Sequence, residues 1–113
     1  MKIQKVRPYE DEFTEAYILF SNGKQITTHH SQDCCEKVYA AVEEIDDLAY
    51  EYEFEEPLTF EKVVGYGFRF GNPGQMVSVP CYNMQNGCYN GKLFVFYDRE
   101  KMINASPKQM YYY

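Results

Sequence analysis

Two histidines, two adjacent cysteines and two acids fall within one short run, Thr28-His29-His30-Ser31-Gln32-Asp33-Cys34-Cys35-Glu36. Imidazoles and thiolates are the usual protein ligands of zinc, and Cys81 and Cys88 could supply the rest of a tetrahedral set from later in the chain. The spacing argues against it. Structural zinc sites pair cysteines two to four residues apart, whereas here one pair is adjacent and the other is separated by six residues. Adjacent side chains on a helix point about 100° apart, so both rarely reach one ion. A thiol nucleophile at Cys34 or Cys35 with His30 as its base is the second possibility. Asp33 and Glu36 oppose it, because neighbouring negative charge disfavours a thiolate.

No phosphate-cradling glycine loop and no acid pair at metal-ligand spacing beside a histidine occurs. The sequence therefore points to no catalytic residue, no metal and no cofactor. The competing reading remains a metal- or thiol-dependent enzyme centred on His30, Cys34 and Cys35. The structural reading makes His30, Asp33, Cys34, Cys35 and Glu36 a motif that holds the scaffold, with Asp33 near a helix start and both thiols packed.

The elements that must position this motif can be read on either side of it. Glu15–Phe20 and Lys24–His29 are strand-like, joined by Ser21-Asn22-Gly23, whose Asn-Gly pair suits a tight hairpin. Alternation puts Ile26, Thr28 and His30 on one face, which ranks His30 above His29 as the inward histidine. After the motif, Cys35, Val38, Tyr39, Val42, Ile45, Leu48 and Ala49 recur at three- and four-residue steps and predict one main helix. The opposing reading extends Lys37–Val42 and keeps only Asp46–Tyr50 helical.

Farther on, Val64, Tyr66, Phe68 and Phe70 alternate with Gly65, Gly67 and Arg69. Gly71–Gly74 is a turn, and Met76–Tyr82 is a strand in which Pro80 implies an edge or bulge. Leu93–Tyr97, apolar on both faces, fits a central strand. The predicted architecture is α+β: a mostly antiparallel sheet of five or six strands carrying one main helix, in a single domain spanning 1–113. Segments 1–13 and 106–113 are its looser ends.

Charge gives the second line of argument. Seventeen acids against eleven bases leave a net charge of −6, which disfavours direct binding to nucleic acid or to anionic membranes. From Glu43 to Glu61 there are nine acids and no base. Glu43, Glu44, Asp46, Asp47, Glu51, Glu53, Glu55 and Glu56 form the candidate partner-binding surface, directed at a basic protein. A solvated face is the bland alternative. Twelve tyrosines suit half-buried strands and recognition surfaces equally. No apolar run is long enough to span a bilayer and no signal-like N-terminal stretch occurs, so a cytoplasmic protein with free thiols is expected.

The run His30–Tyr39, followed by Asp46-Asp47-Leu48, resembles a small domain family of phages, plasmids and their bacterial hosts that carries an H-x-QDCCE-x-V motif. That family has a second motif, SNGYYS, which maps onto Gln85-Asn86-Gly87-Cys88-Tyr89-Asn90. Asn86, Gly87 and Tyr89 match; Gln85, Cys88 and Asn90 depart from it. The resemblance covers most of residues 14–97. It implies a common fold and a mobile-element setting, and no activity. In that setting small acidic proteins of the anti-CRISPR type occupy the basic nucleic-acid channels of host nucleases, so a Cas9-type enzyme or its guide-binding groove becomes the expected partner.

Overall fold

The computed structural model describes residues 1–11, 14–30, 37–85 and 92–111. Ten strands run through them: β1 (Ile3–Arg7), β2 (Tyr17–Phe20), β3 (Gln25–His30), β4 (Lys37–Ala40), β5 (Thr59–Val63), β6 (Gly67–Asn72), β7 (Gln75–Gln85), β8 (Leu93–Tyr97), β9 (Glu100–Ala105) and β10 (Lys108–Tyr111). Two 3-10 turns, Val42–Glu44 and Asp47–Glu51, lie between β4 and β5. The first sheet has the order β1-β2-β3-β8-β9. The second has the order β10-β7-β6-β5, with β4 also paired to β7. All these pairings are antiparallel except β10 with β7.

The antiparallel expectation holds, but the α+β class and the strand number do not. The fold is mainly β, in two five-stranded sheets, and no α-helix occurs among the described residues.

The predicted main helix is the largest correction. Lys37–Ala40 is a strand whose buried side chains alternate, Val38 and Ala40 in, Lys37 and Tyr39 out, and only two short 3-10 turns follow. Its residues 31–36 lie outside the described residues. The physical reason is visible in the charges. An α-helix would set Glu43 facing Asp46 and Asp47, and Glu44 facing Asp47, at three- and four-residue steps, where like charges repel. β-Branched Val38, Val42 and Ile45 are also poor helix formers. The extended alternative gains a ladder against β7, with Lys37 opposite Met84 and Ala40 opposite Cys81. The turns still bury Val42, Ile45 and Ala49, so the apolar spacing that mimics a helix stripe is real.

The inner faces of the two sheets meet in one core. Ile18, Phe20, Ile26, Leu93 and Val95 come from the first sheet, and Val38, Phe68, Phe70, Val77, Val79 and Cys81 from the second. Phe20 on β2 ties the layers: it meets Phe70 of the opposite sheet edge-on at 6.0 Å, and Phe54 at 5.9 Å. Such edge-to-face pairs add about 0.5–1.5 kcal/mol beyond the area they bury. Phe54 belongs to the irregular segment between the second 3-10 turn and β5, and its ring meets Phe70 of the second sheet as well, at 5.9 Å. Its amide donates to the Met1 carbonyl (2.7 Å), and the flanking Glu55 exchanges two hydrogen bonds with the Asn72 side chain.

The turns follow their sequence signals with local changes. In the first hairpin only Gly23 has positive φ (+86°), and its amide donates to the Phe20 carbonyl. That is a three-residue loop with glycine in the left-handed position, not the two-residue turn that the Asn-Gly pair implies. Val64 does not extend a strand with Phe68 and Phe70; it tops the β5–β6 turn and is 85% exposed. At Gly67 a Cβ would clash with the Val79 carbonyl oxygen, the close backbone approach that its glycine implies. Within the two end segments, Ile3–Arg7 forms β1, ending just before Pro8, and Lys108–Tyr111 forms β10 against β7.

Candidate binding surface

All eight acids of the predicted partner-binding set are exposed, but the fold does not treat them alike. Glu53 accepts from the N-terminal amine at 2.8 Å, and Glu56 accepts from the Lys24 ammonium at 2.9 Å. These hydrogen bonds hold both carboxyls below the usual carboxylate range. Around Glu55 the backbone is pinned by Asn72. Glu43, Glu44, Asp46, Asp47 and Glu51 are different: among the described residues none of them has a cationic partner within ion-pair distance.

These five acids sit on or beside the two 3-10 turns, and Glu43 and Glu44 neighbour the tyrosines of β4 and β7. Asp46 caps the second turn, its carboxylate accepting from the Leu48 amide at 2.9 Å. The Tyr82 hydroxyl donates to Glu44 at 3.0 Å. That bond, then desolvation and the Glu44 charge, raises the Tyr82 pKa above its ordinary value. Tyr39 lies opposite Tyr82 across the β4–β7 ladder, with ring centroids 5.6 Å apart. Its pKa is also raised, first by burial and then by Glu43 and Glu44. Glu44 and Asp46 enter the wall of a cleft of about 400 Å³ that also takes in Leu48, Tyr52, Tyr66 and Met76. Leu48 is 55% and Tyr66 40% exposed, so the cleft presents apolar surface beside its carboxylates. The arrangement offers a cation both a negative charge and an aromatic face.

The motif that dominates the sequence is only partly placed. Asp33, Cys34, Cys35, Glu36, Asn86, Gly87, Cys88 and Tyr89 lie outside the described residues. His30 is more buried than His29, as alternation predicts, and its Nδ1 is buried without a hydrogen-bond partner among the described residues. It borders a cavity of about 240 Å³ with His29, Thr28, Val38 and Leu93. Cys81, a possible metal ligand on sequence grounds, lies wholly in the core; burial pushes its thiol pKa up, and the thiol donates weakly to the Val79 carbonyl. Among the described residues no three histidines, cysteines or acids are grouped to hold a metal ion.

Sequence reasoning missed the tyrosines that accompany the acids. Tyr39 and Tyr82 are 43 positions apart, and only the β4–β7 register brings them together. Tyr9 joins them from the segment after β1, stacked on Tyr39 at 5.1 Å and 15°. Alternation around a strand at Lys37–Ala40 was the available signal, since it turns Tyr39 outward.

No helix among the described residues is long and apolar enough to cross a membrane. Comparison with protein-family models, curated proteins and solved structures finds no match to this chain.

Proposed function

We propose that the protein is a non-enzymatic, acidic binding protein that acts on a basic protein surface through the flank formed by Glu43, Glu44, Asp46, Asp47 and Glu51. The observation that carries this reading is the lack of any described cation paired with these five carboxylates, beside a cleft walled by exposed Leu48 and Tyr66. Glu53 and Glu56, by contrast, have their charge met by cations of the chain itself. Complementary potential speeds encounter and fixes orientation, which suits a protein that competes for a charged groove. With the mobile-element setting implied by the His30–Tyr39 motif, the proposed target is the nucleic-acid-binding groove of a host defence nuclease of the Cas9 type, where the guide is held by basic residues. Glu53 and Glu56, already paired, and Glu55, whose backbone is bonded to Asn72, are not assigned to this flank. The protein then works in the bacterial cytoplasm, without a cofactor and without touching nucleic acid itself.

Titration against a guide-free and a guide-loaded Cas9-type nuclease at low salt tests the proposal. A complex with the guide-free enzyme that guide RNA displaces is the expected result; no complex at low salt removes it.

One observation favours a second reading, a metal- or thiol-dependent enzyme centred on His30, Cys34 and Cys35. Among the described residues the buried Nδ1 of His30 has no hydrogen-bond partner, which leaves an imidazole nitrogen free to serve as a ligand or a base next to Cys34 and Cys35 in sequence. Elemental analysis decides between the two: stoichiometric zinc in the purified protein, abolished by His30→Ala, transfers the proposal to that site.

A further inference from the structure

The outward face of β4 and β7 carries a row of three rings. Tyr9 stacks on Tyr39, and Tyr39 meets Tyr82 at 5.6 Å with a 47° tilt. A cation already lies on this row. The Lys37 ammonium is 5.3 Å from the Tyr9 centroid and 5.6 Å from that of Tyr39, both within the roughly 6 Å reach of a cation–π contact. Among the described residues no carboxylate pairs with Lys37, so the rings are the partner that the described surface provides for its charge. At the other end of the row Tyr82 holds Glu44 by a hydrogen bond of 3.0 Å.

We propose that Tyr9, Tyr39 and Tyr82 form a row that takes arginine side chains of the partner protein, with Lys37 as a built-in competitor for it. The inference rests on the basic-partner reading above and narrows it from positive charge in general to one side chain. Lys37 reveals the class of group that the rings accept. Arginine suits the row better than lysine does, because a flat guanidinium stacks on one ring while its fork of donors reaches a carboxylate such as Glu44. An ammonium is a strongly hydrated point charge that gains less from a ring face. Nucleic acid and anionic membranes are poor occupants beside Glu43 and Glu44, since their phosphates are repelled there.

The test uses the full chain and two peptides of equal length and charge, one arginine-rich and one lysine-rich, titrated at fixed low ionic strength. The arginine peptide is expected to bind about threefold or more tightly than the lysine peptide. Tyr39→Leu with Tyr82→Leu brings the ratio close to one, and Tyr39→Phe, which keeps the ring, preserves it. Lys37→Gln tightens the arginine peptide about twofold or more by removing the competitor. Equal binding of both peptides by the native chain, or an arginine preference untouched by loss of the rings, overturns this inference while leaving the basic-partner reading in place. Binding of neither peptide overturns both.

Discussion

Between Glu43 and Glu51 five carboxylates project from two 3-10 turns with no described cation beside them, whereas between Glu53 and Glu56 two of three close ion pairs with the N-terminal amine and Lys24. The two stretches are nearly alike in composition and adjacent in sequence. Their difference comes from what lies under them. In the second stretch Phe54 enters the core and the backbone bonds to Met1 and Asn72, and Glu53 and Glu56 reach the N-terminal amine and Lys24. The first buries Val42, Ile45 and Ala49 and brings Glu43 and Glu44 beside the tyrosines of β4 and β7. A run of like charge is therefore not one unit: Glu53 and Glu56 have cationic partners within the chain, whereas Glu43, Glu44, Asp46, Asp47 and Glu51 have none among the described residues.

The sharpest way to break that distinction is to cut each stretch separately. Phe54→Ala removes a fully buried ring that touches Phe20 and Phe70, and is expected to cost about 3–5 kcal/mol in urea unfolding. A loss below about 1 kcal/mol would mean that the 53–56 stretch is not part of the core, contrary to the comparison.

Neutralising the other stretch (Glu43→Gln, Glu44→Gln, Asp46→Asn and Asp47→Asn together) should leave the melting temperature nearly unchanged. Affinity for a basic partner should fall by on the order of tenfold or more, mostly through a slower on-rate. Stopped-flow binding reads that rate. An unchanged rate contradicts the role given to these acids.

Lys24→Ala is a smaller cut within the paired stretch. It lowers stability slightly above the acid range and leaves partner affinity unaltered, because exposed ion pairs contribute little. Since the pairing depresses the folded pKa of Glu56, the stability it supplies is present above the unfolded carboxylate value and fades as pH falls through the folded one. The native chain and the variant should thus converge in melting temperature at acid pH.

The finest test concerns one hydrogen bond. The Tyr82 pKa is raised chiefly by its bond to Glu44, so its neutral form stabilises the fold below the ordinary tyrosine value near 10, and this is lost as pH rises through the folded value. Glu44→Gln should move the Tyr82 ionisation downward in an ultraviolet titration. No movement would separate Tyr82 from the acidic flank.

Much of the β framework is legible in the sequence because its signals are local. The β2–β3 pair, the turn at Gly71–Gly74, the strand at Leu93–Tyr97 and the inward facing of His30 all follow from alternation and turn residues. The helix misreading has one cause. Val38, Val42, Ile45 and Ala49 do share a buried side, but the spacing of a strand followed by two tight turns imitates a helical stripe; the like charges of Glu43, Glu44, Asp46 and Asp47 oppose a helix locally, and the long-range ladder from β4 to β7 supplies the rest. The β8–β9 hairpin was equally hidden, since Asp98 and Arg99 adopt positive φ (50° and 70°) where glycine or asparagine is the usual marker. The acids were legible as a set. Their division into paired and unpaired groups was not, because it depends on Met1, Lys24 and Tyr82, all distant in sequence.

The most direct measurement is a calorimetric titration of a guide-free Cas9-type nuclease at low and moderate salt with three proteins. These are the native chain, the form neutralised at positions 43, 44, 46 and 47, and a Glu53→Gln, Glu56→Gln control. Tight binding by the native chain and the control, weakened by salt and lost in the neutralised form, is the predicted result. No binding by the native chain, or equal binding by all three, would contradict a function carried by the unpaired acids.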